Sequence, residues 1–271
     1  MRGLAEFVMT GRKQAILAVG LIGLIPVINL LSPVIVGLIM LSKGIKEAAF
    51  VFAWGILPLG VWAMVGDFVP LIMLFGISVL ALLLRETESW EFTLLAAIFI
   101  GLAVEAYLRM QPVVLDTVFI QLQPYLQQNN IQGIEEGQLR ETITSIIGAV
   151  YMFLANVLTM ISRGMQAALF NPGGFKQEIH QLRIEQKIAI GLLGLMLLAS
   201  FGIIIPSSWI LYFMLPLVFS GVGLAHAVVA KRQLSRMALF AFYLMMMMPL
   251  IVQMIVLLAL IDSWYDFRSR V

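Results

Sequence analysis

A chain of 271 residues that is 61% hydrophobic and only 12% charged, with a mean hydropathy of +1.00, is far more apolar than a soluble domain. The absence of cysteine excludes disulfides, thiolate metal sites and cysteine nucleophiles. The formal charge of +2 and the pI near 9.0 carry no nucleic-acid signal, because the basic residues stand beside apolar runs, where membrane orientation accounts for them.

Backbone that spans a bilayer must satisfy its own hydrogen bonds, and these apolar runs are longer than transmembrane strands and lack their alternation. The expected fold is therefore all-α: a single integral membrane helical bundle over residues 1–271, with a broken first segment and two amphipathic interfacial helices. In the opening residues Arg2, Arg12 and Lys13 precede a long apolar run with no clear small-residue cleavage site, which reads as an uncleaved anchor. That run, Gln14 to Ser42, holds Pro26, Asn29, Ser32 and Pro33 at its centre, in IPVINLLSP, and Lys43 and Lys46 follow it. One kinked span would separate the two basic groups. A hairpin broken at IPVINLLSP keeps them on one side, although arms of ~12 to 16 residues reach only about 18 to 24 Å. The hairpin is the preferred arrangement, with the kinked span as its alternative.

Ala48 to Val65 and Phe68 to Leu84 flank Gly66 and Asp67, a connection short enough to force an antiparallel pair with Asp67 outside. RETESWE, Arg85 to Glu91, reads as a cytoplasmic turn before the span Phe92 to Met110, where Ala97 and Gly101 form a small-residue stripe for close helix packing. The extracytoplasmic segment 111–140 carries Leu115, Val118, Phe119, Leu122 and Leu126 at helical spacing, as an interfacial helix would, and a polar break at Gln127 to Asn130. Ile143 to Ile161 then leads to the loop 163–187, whose Arg163, Lys176, Arg183 and Lys187 place it in the cytoplasm. Within it NPGG, Asn171 to Gly174, is a turn, and Phe175, Ile179 and Leu182 mark the second amphipathic helix.

The remaining expected spans are Ile188 to Ile205, Trp209 to Ala230 and Met237 to Ile261, with Pro206, Ser207 and Ser208 joining the first two. Basic residues then number 13 inside and 4 outside, the latter being Arg109, Arg140, Arg268 and Arg270. The hairpin gives nine membrane segments with the amino terminus in and the carboxyl terminus out; the kinked span gives eight.

GLAH at Gly223 to His226, KRQLSR at Lys231 to Arg236, Pro249, and DSWYDFRSR at Asp262 to Arg270 resemble the carboxyl-terminal signature of the YybS-like family of predicted bacterial membrane proteins. NPGGF, with Asn171, Pro172, Gly173 and Gly174, resembles its proteobacterial branch, so the signature positions are these four with His226, Asp262, Trp264, Asp266, Phe267 and Arg268. The resemblance implies a multi-pass protein of the bacterial cytoplasmic membrane and no activity. That family is distantly similar to the substrate-binding S components of energy-coupling-factor transporters, a likeness of fold that does not carry function. S components commonly carry Ala-x-x-x-Ala on the first helix, whereas this chain has Ala15 and Ala18.

Glu105 is an acidic residue well inside an expected span, a candidate for a proton relay or cation site, and Arg109 four residues on could equally pair with it. His226 can titrate, bind a ligand or hydrogen-bond another helix; His180 lies on the polar side of its amphipathic helix. Asn29, Asn156 and Gln253 need partners in another helix, a water or a ligand. Asp262 and Asp266 share a face beside Trp264 and Tyr265, as a metal-diphosphate site or, more simply, an interfacial anchor would. Met245 to Met248 supplies adaptable apolar surface. No phosphate-binding glycine loop, HExxH or nucleophile elbow is present, so neither an enzyme nor a cofactor nor a metal is expected. The expected function is binding or transport of a small molecule or lipid, at Asn29 and Ser32 in the helix break with Glu105 as neighbour. The alternative is a non-catalytic structural subunit or assembly factor with a membrane protein partner. The lipid bilayer is the common partner of both, and no nucleic acid is expected.

Overall fold

The computed structural model describes residues 2–111, 115–121, 124 and 136–270, and among them there is no strand. The helices are α1 (Arg2–Met9), α2 (Arg12–Leu24), α3 (Ser32–Lys43), α4 (Ile45–Met64), α5 (Val69–Thr87) and α6 (Trp90–Arg109). Then come α7 (Glu136–Phe170), α8 (Gly174–Gln181), α9 (Gln186–Phe201), α10 (Ile210–Lys231), α11 (Arg236–Met245), α12 (Pro249–Tyr265) and α13 (Phe267–Arg270). Among the described residues five helices are long and apolar enough to cross a membrane, or up to seven if each of two bent pairs counts as one span, so the protein is a multi-pass helical membrane protein.

Local chemistry sets the boundaries. Pro33, Pro70 and Pro249 stand in the first turns of α3, α5 and α12, where a missing N–H costs no helical bond. Ser89 caps α6 by accepting from the Phe92 N–H. Gly44, at φ 86°, reverses the chain between α3 and α4 in a conformation that side chains rarely adopt.

The first apolar run is the expected hairpin. The Lys43 ammonium donates to the Met9 carbonyl at 3.2 Å, and Arg12 pairs with Glu47 at 2.5 Å, so both ends of the run lie on one face. The chain breaks at Ile25, Pro26 and Val27, re-forms as a 3-10 turn at Ile28–Leu31, and returns as α3. The Ser32 hydroxyl donates to the Val19 carbonyl at 3.1 Å, tying the two arms below the tip. Against α4, Gly23 rests on the Pro58 ring and Val19 on Gly55.

The same face gathers the other basic turns. Arg85 donates to the Met40 and Leu41 carbonyls at 3.0 and 2.8 Å; the Gln166 amide reaches Leu41 O at 2.8 Å; Arg163 pairs with Glu178 at 2.5 Å. Helix α8 lies on this face with Gly174 buried and Lys176 and Gln177 exposed. The segment 111–140 is described in part: residues 115–121 are helical, Leu115 and Phe119 are buried, and Arg140 pairs with Asp116 at 2.7 Å. Leu122 and Leu126, and the polar break Gln127 to Asn130, lie outside the described residues.

The end of the chain differs from the expectation. Met237–Met245 and Pro249–Tyr265 are bent by 111°, so Met237 to Ile261 is no single straight span. The Lys231 ammonium, where the segment begins, donates to the Arg268 carbonyl, where it has ended, at 2.7 Å. The segment therefore doubles back, and the carboxyl end lies on the basic face instead of opposite it. The polar residues that pull it back, Asp262 and Arg268, gave no directional signal in a hydropathy pattern. With Arg268 and Arg270 moved to this face, only Arg109 and Arg140 remain at the other end.

Candidate functional site

The helix α7 presents two different stripes. Gly148, Met152, Thr159 and Ser162 turn inward among the neighbouring spans, where Ser162 donates to Val34 O at 3.0 Å. Val157, Ile161, Gly164 and Ala168, spaced by three or four residues, instead line a cavity of about 810 Å3. Its facing wall is α10, through Val218, Phe219, Val222 and His226, and Phe153 stacks on Phe219 with ring centroids 5.5 Å apart. Phe175 and Ile179 of α8 close the end toward the basic face. Tyr243 of α11 with Met246 and Met247 form the remaining side.

Gly223 makes the closure possible: a Cβ there would sit 2.8 Å from the Ile179 carbonyl oxygen and 3.1 Å from that of Leu182, so only glycine lets α8 seat against α10. The cavity lining holds two polar side chains, and they meet each other, His226 Nε2 and the Tyr243 hydroxyl lying 2.7 Å apart. The opening faces the perimeter of the bundle, where Phe153, Tyr243 and Met247 are exposed. The arrangement can take up an apolar body and offer it a single hydrogen-bonding end. The methionine run and the α8 stripe were visible in the sequence. The α7 lining was hidden because an apolar stripe facing a void reads like one facing a neighbouring helix.

Glu105 lies at the opposite end and is 2% exposed. Its Oε1 accepts from Arg109 at 2.5 Å, Ser145 at 2.9 Å and Trp209 at 3.1 Å, and its Oε2 accepts from the Tyr212 hydroxyl at 2.7 Å. Four side chains from four segments therefore converge on this carboxylate, and Ser208 is 2.9 Å from one of them, Ser145. The carboxylate is saturated with donors and ties α6, α7 and α10 together. Just inward, Gly101 and Gly148 bring α6 and α7 into backbone contact: a Cβ on Gly101 would lie 2.9 Å from the Gly148 carbonyl oxygen and 2.6 Å from the Tyr212 ring.

Asn29 and Ser32 are buried in the helix break, away from Glu105. On α7, Ser162 bonds Val34 and Ser145 bonds Glu105, positions 17 residues apart and so about 25 Å along the axis. Neither Asn29, Ser32 nor Glu105 lines the apolar cavity; His226 does. Asn156 is fully buried, its Nδ2 donating to Met152 O at 3.1 Å and its Oδ1 lacking a partner among the described residues. Gln253 is exposed on α12. Asn171 to Gly174 form the expected turn, with Pro172 exposed and Gly173 at φ 93°.

The segment Asp262 to Arg270 at the carboxyl end is a clasp. Asp262, fully buried, accepts from the Phe267 N–H at 2.8 Å and from Arg268 Nε at 3.0 Å. The same guanidinium donates to His180 O at 2.7 Å and Ser220 O at 3.0 Å, joining α8, α10 and α12. Asp266 pairs with Arg183 at 3.4 Å, while Trp264 is exposed. Among the described residues no group of three or more histidine and carboxylate side chains could hold a metal ion. No family model, curated protein or solved structure matches the chain.

Proposed function

We propose that the protein works in the bacterial cytoplasmic membrane, with its basic face inward, as a binder of a small hydrophobic molecule or lipid held in the α7–α10 cavity. The observation that carries this reading is the cavity itself: about 810 Å3, within the ~300–1,000 Å3 range of sites that enclose one small ligand, apolar except for His226 and Tyr243, and open toward lipid. The concentration of Lys and Arg on one face supports the orientation. Glu105 and Ser32 already have protein partners, which supports a structural role for both. Transport would be a further step, in the manner of the S components to which the YybS-like family is distantly similar. Ala15 and Ala18 are buried inside the bundle, so a coupling subunit would have to dock elsewhere.

A second reading, a structural subunit of a membrane complex, draws on α4, the least buried of the five long spans, with Trp54, Leu57, Val61 and Met64 exposed. Mass spectrometry of gently purified protein separates the two. A stoichiometric hydrophobic ligand supports the cavity, whereas a stable protein partner without such a ligand supports the subunit.

A further inference from the structure

A hydrocarbon chain gains little by leaving lipid for an apolar cavity, because the two surroundings are equally dry. Selectivity must then come from the ligand's polar end. The charges around the cavity are one-sided. His226 lines it, while Lys176 and His180 lie outside the lining on the part of α8 that borders the residues Phe175 and Ile179. The groups that act electrostatically on His226 are His180 and Lys176, and those that act on His180 are Lys176 and Arg268.

The neighbouring arginines are engaged: Arg163 with Glu178, Arg183 with Asp266, Arg268 with Asp262. Glu178, the acidic residue of α8, is turned away toward Arg163 and the Trp90 indole N–H. Lys176 makes no ion pair among the described residues and is exposed. A rim with an uncommitted cation beside a His226–Tyr243 hydrogen bond, above a cavity sized for one chain, has the charge pattern of an anion acceptor joined to an apolar sleeve.

We propose that the ligand is a single-chain amphiphile with a compact anionic head, its chain between α7 and α10 and its head at the rim formed by Lys176, His180 and His226. This rests on the cavity being a ligand site.

The test is native mass spectrometry of the full chain in neutral detergent, titrated with palmitate and, separately, with hexadecanol, which has the same chain length and an uncharged head. Palmitate should bind about tenfold or more tightly than hexadecanol, since hydrogen bonds to a charged group are the stronger kind. In Lys176→Gln combined with His226→Gln that preference should fall to within about threefold. Equal binding of the two probes by the unaltered protein, or a preference unchanged in the double variant, overturns the anionic head while leaving the cavity as a ligand site. Failure of both probes to bind the unaltered protein overturns the cavity as well.

Discussion

The Arg268 guanidinium donates to the carbonyl oxygen of His180 at 2.7 Å across 88 residues of sequence, and this bond joins the carboxyl end of the chain to the face that carries the loop Arg163–Lys187. The same side chain is 11% exposed and holds Asp262, which is fully buried. Burial of so polar a pair is sustainable because the remaining donors reach carbonyls on two other helices.

Arg268→Ala should leave the Asp262 carboxylate buried without its cation, a loss of about 3–5 kcal/mol. The melting temperature should fall, and limited proteolysis should begin to cut after α12. Arg268→Lys should recover only part of the loss, since one ammonium cannot reproduce the fork that reaches Asp262, His180 and Ser220. Unchanged melting of the alanine variant would mean that the clasp does not hold the segment.

The topology can be read with single cysteines, because the chain has none of its own. Gln177→Cys and Arg270→Cys should react with a membrane-impermeant maleimide from the same side, and Gln138→Cys from the other. Labelling of the first two from opposite sides would restore a carboxyl terminus across the membrane.

The helical class, the hairpin and the α6 packing stripe were legible because each has a local cause. Composition demands helices, Pro26 falls where the helical ladder breaks and Pro33 where it starts again, and Ala97 and Gly101 leave room for another helix, found here as Gly148 on α7. The return of the last segment was not legible. Its hydropathy is that of an ordinary span, and what holds it back is a set of bonds to distant residues, Arg268 to the His180 and Ser220 carbonyls and Lys231 to the Arg268 carbonyl, which no local pattern encodes. The cavity was hidden for the related reason that a void is a property of helix placement, not of any one helix. Glu105 could be recognised as exceptional, and Arg109 as its partner, but Ser145, Trp209 and Tyr212 come from distant segments.

Glu105→Gln should destabilise the fold by about 3 kcal/mol or more, because every neighbour of the carboxylate is a donor and the glutamine brings a donating amide among them. Thermal unfolding in detergent measures this. A variant that melts normally yet loses function would instead give Glu105 a role in proton or cation handling.

Gly101→Ala should cost about 1–3 kcal/mol, since its Cβ would press on Tyr212 at 2.6 Å and on the Gly148 backbone at 2.9 Å. Gly191→Ala on α9 is the matched control: nothing lies within 4 Å of a Cβ there, and the higher helix propensity of alanine should leave melting unchanged or slightly raised. Equal behaviour of the two variants would dissociate the α6–α7 contact from stability.

The most direct measurement is the amount of hydrophobic ligand that copurifies with the unaltered protein and with the double variant Val157→Trp, Ala168→Phe, both of whose side chains line the cavity and would fill it. Native mass spectrometry should show about one molecule per unaltered chain and nearly none on the filled variant, with melting of the unliganded proteins alike. Equal occupancy of the two proteins, or an empty cavity in both, would contradict a ligand site between α7 and α10.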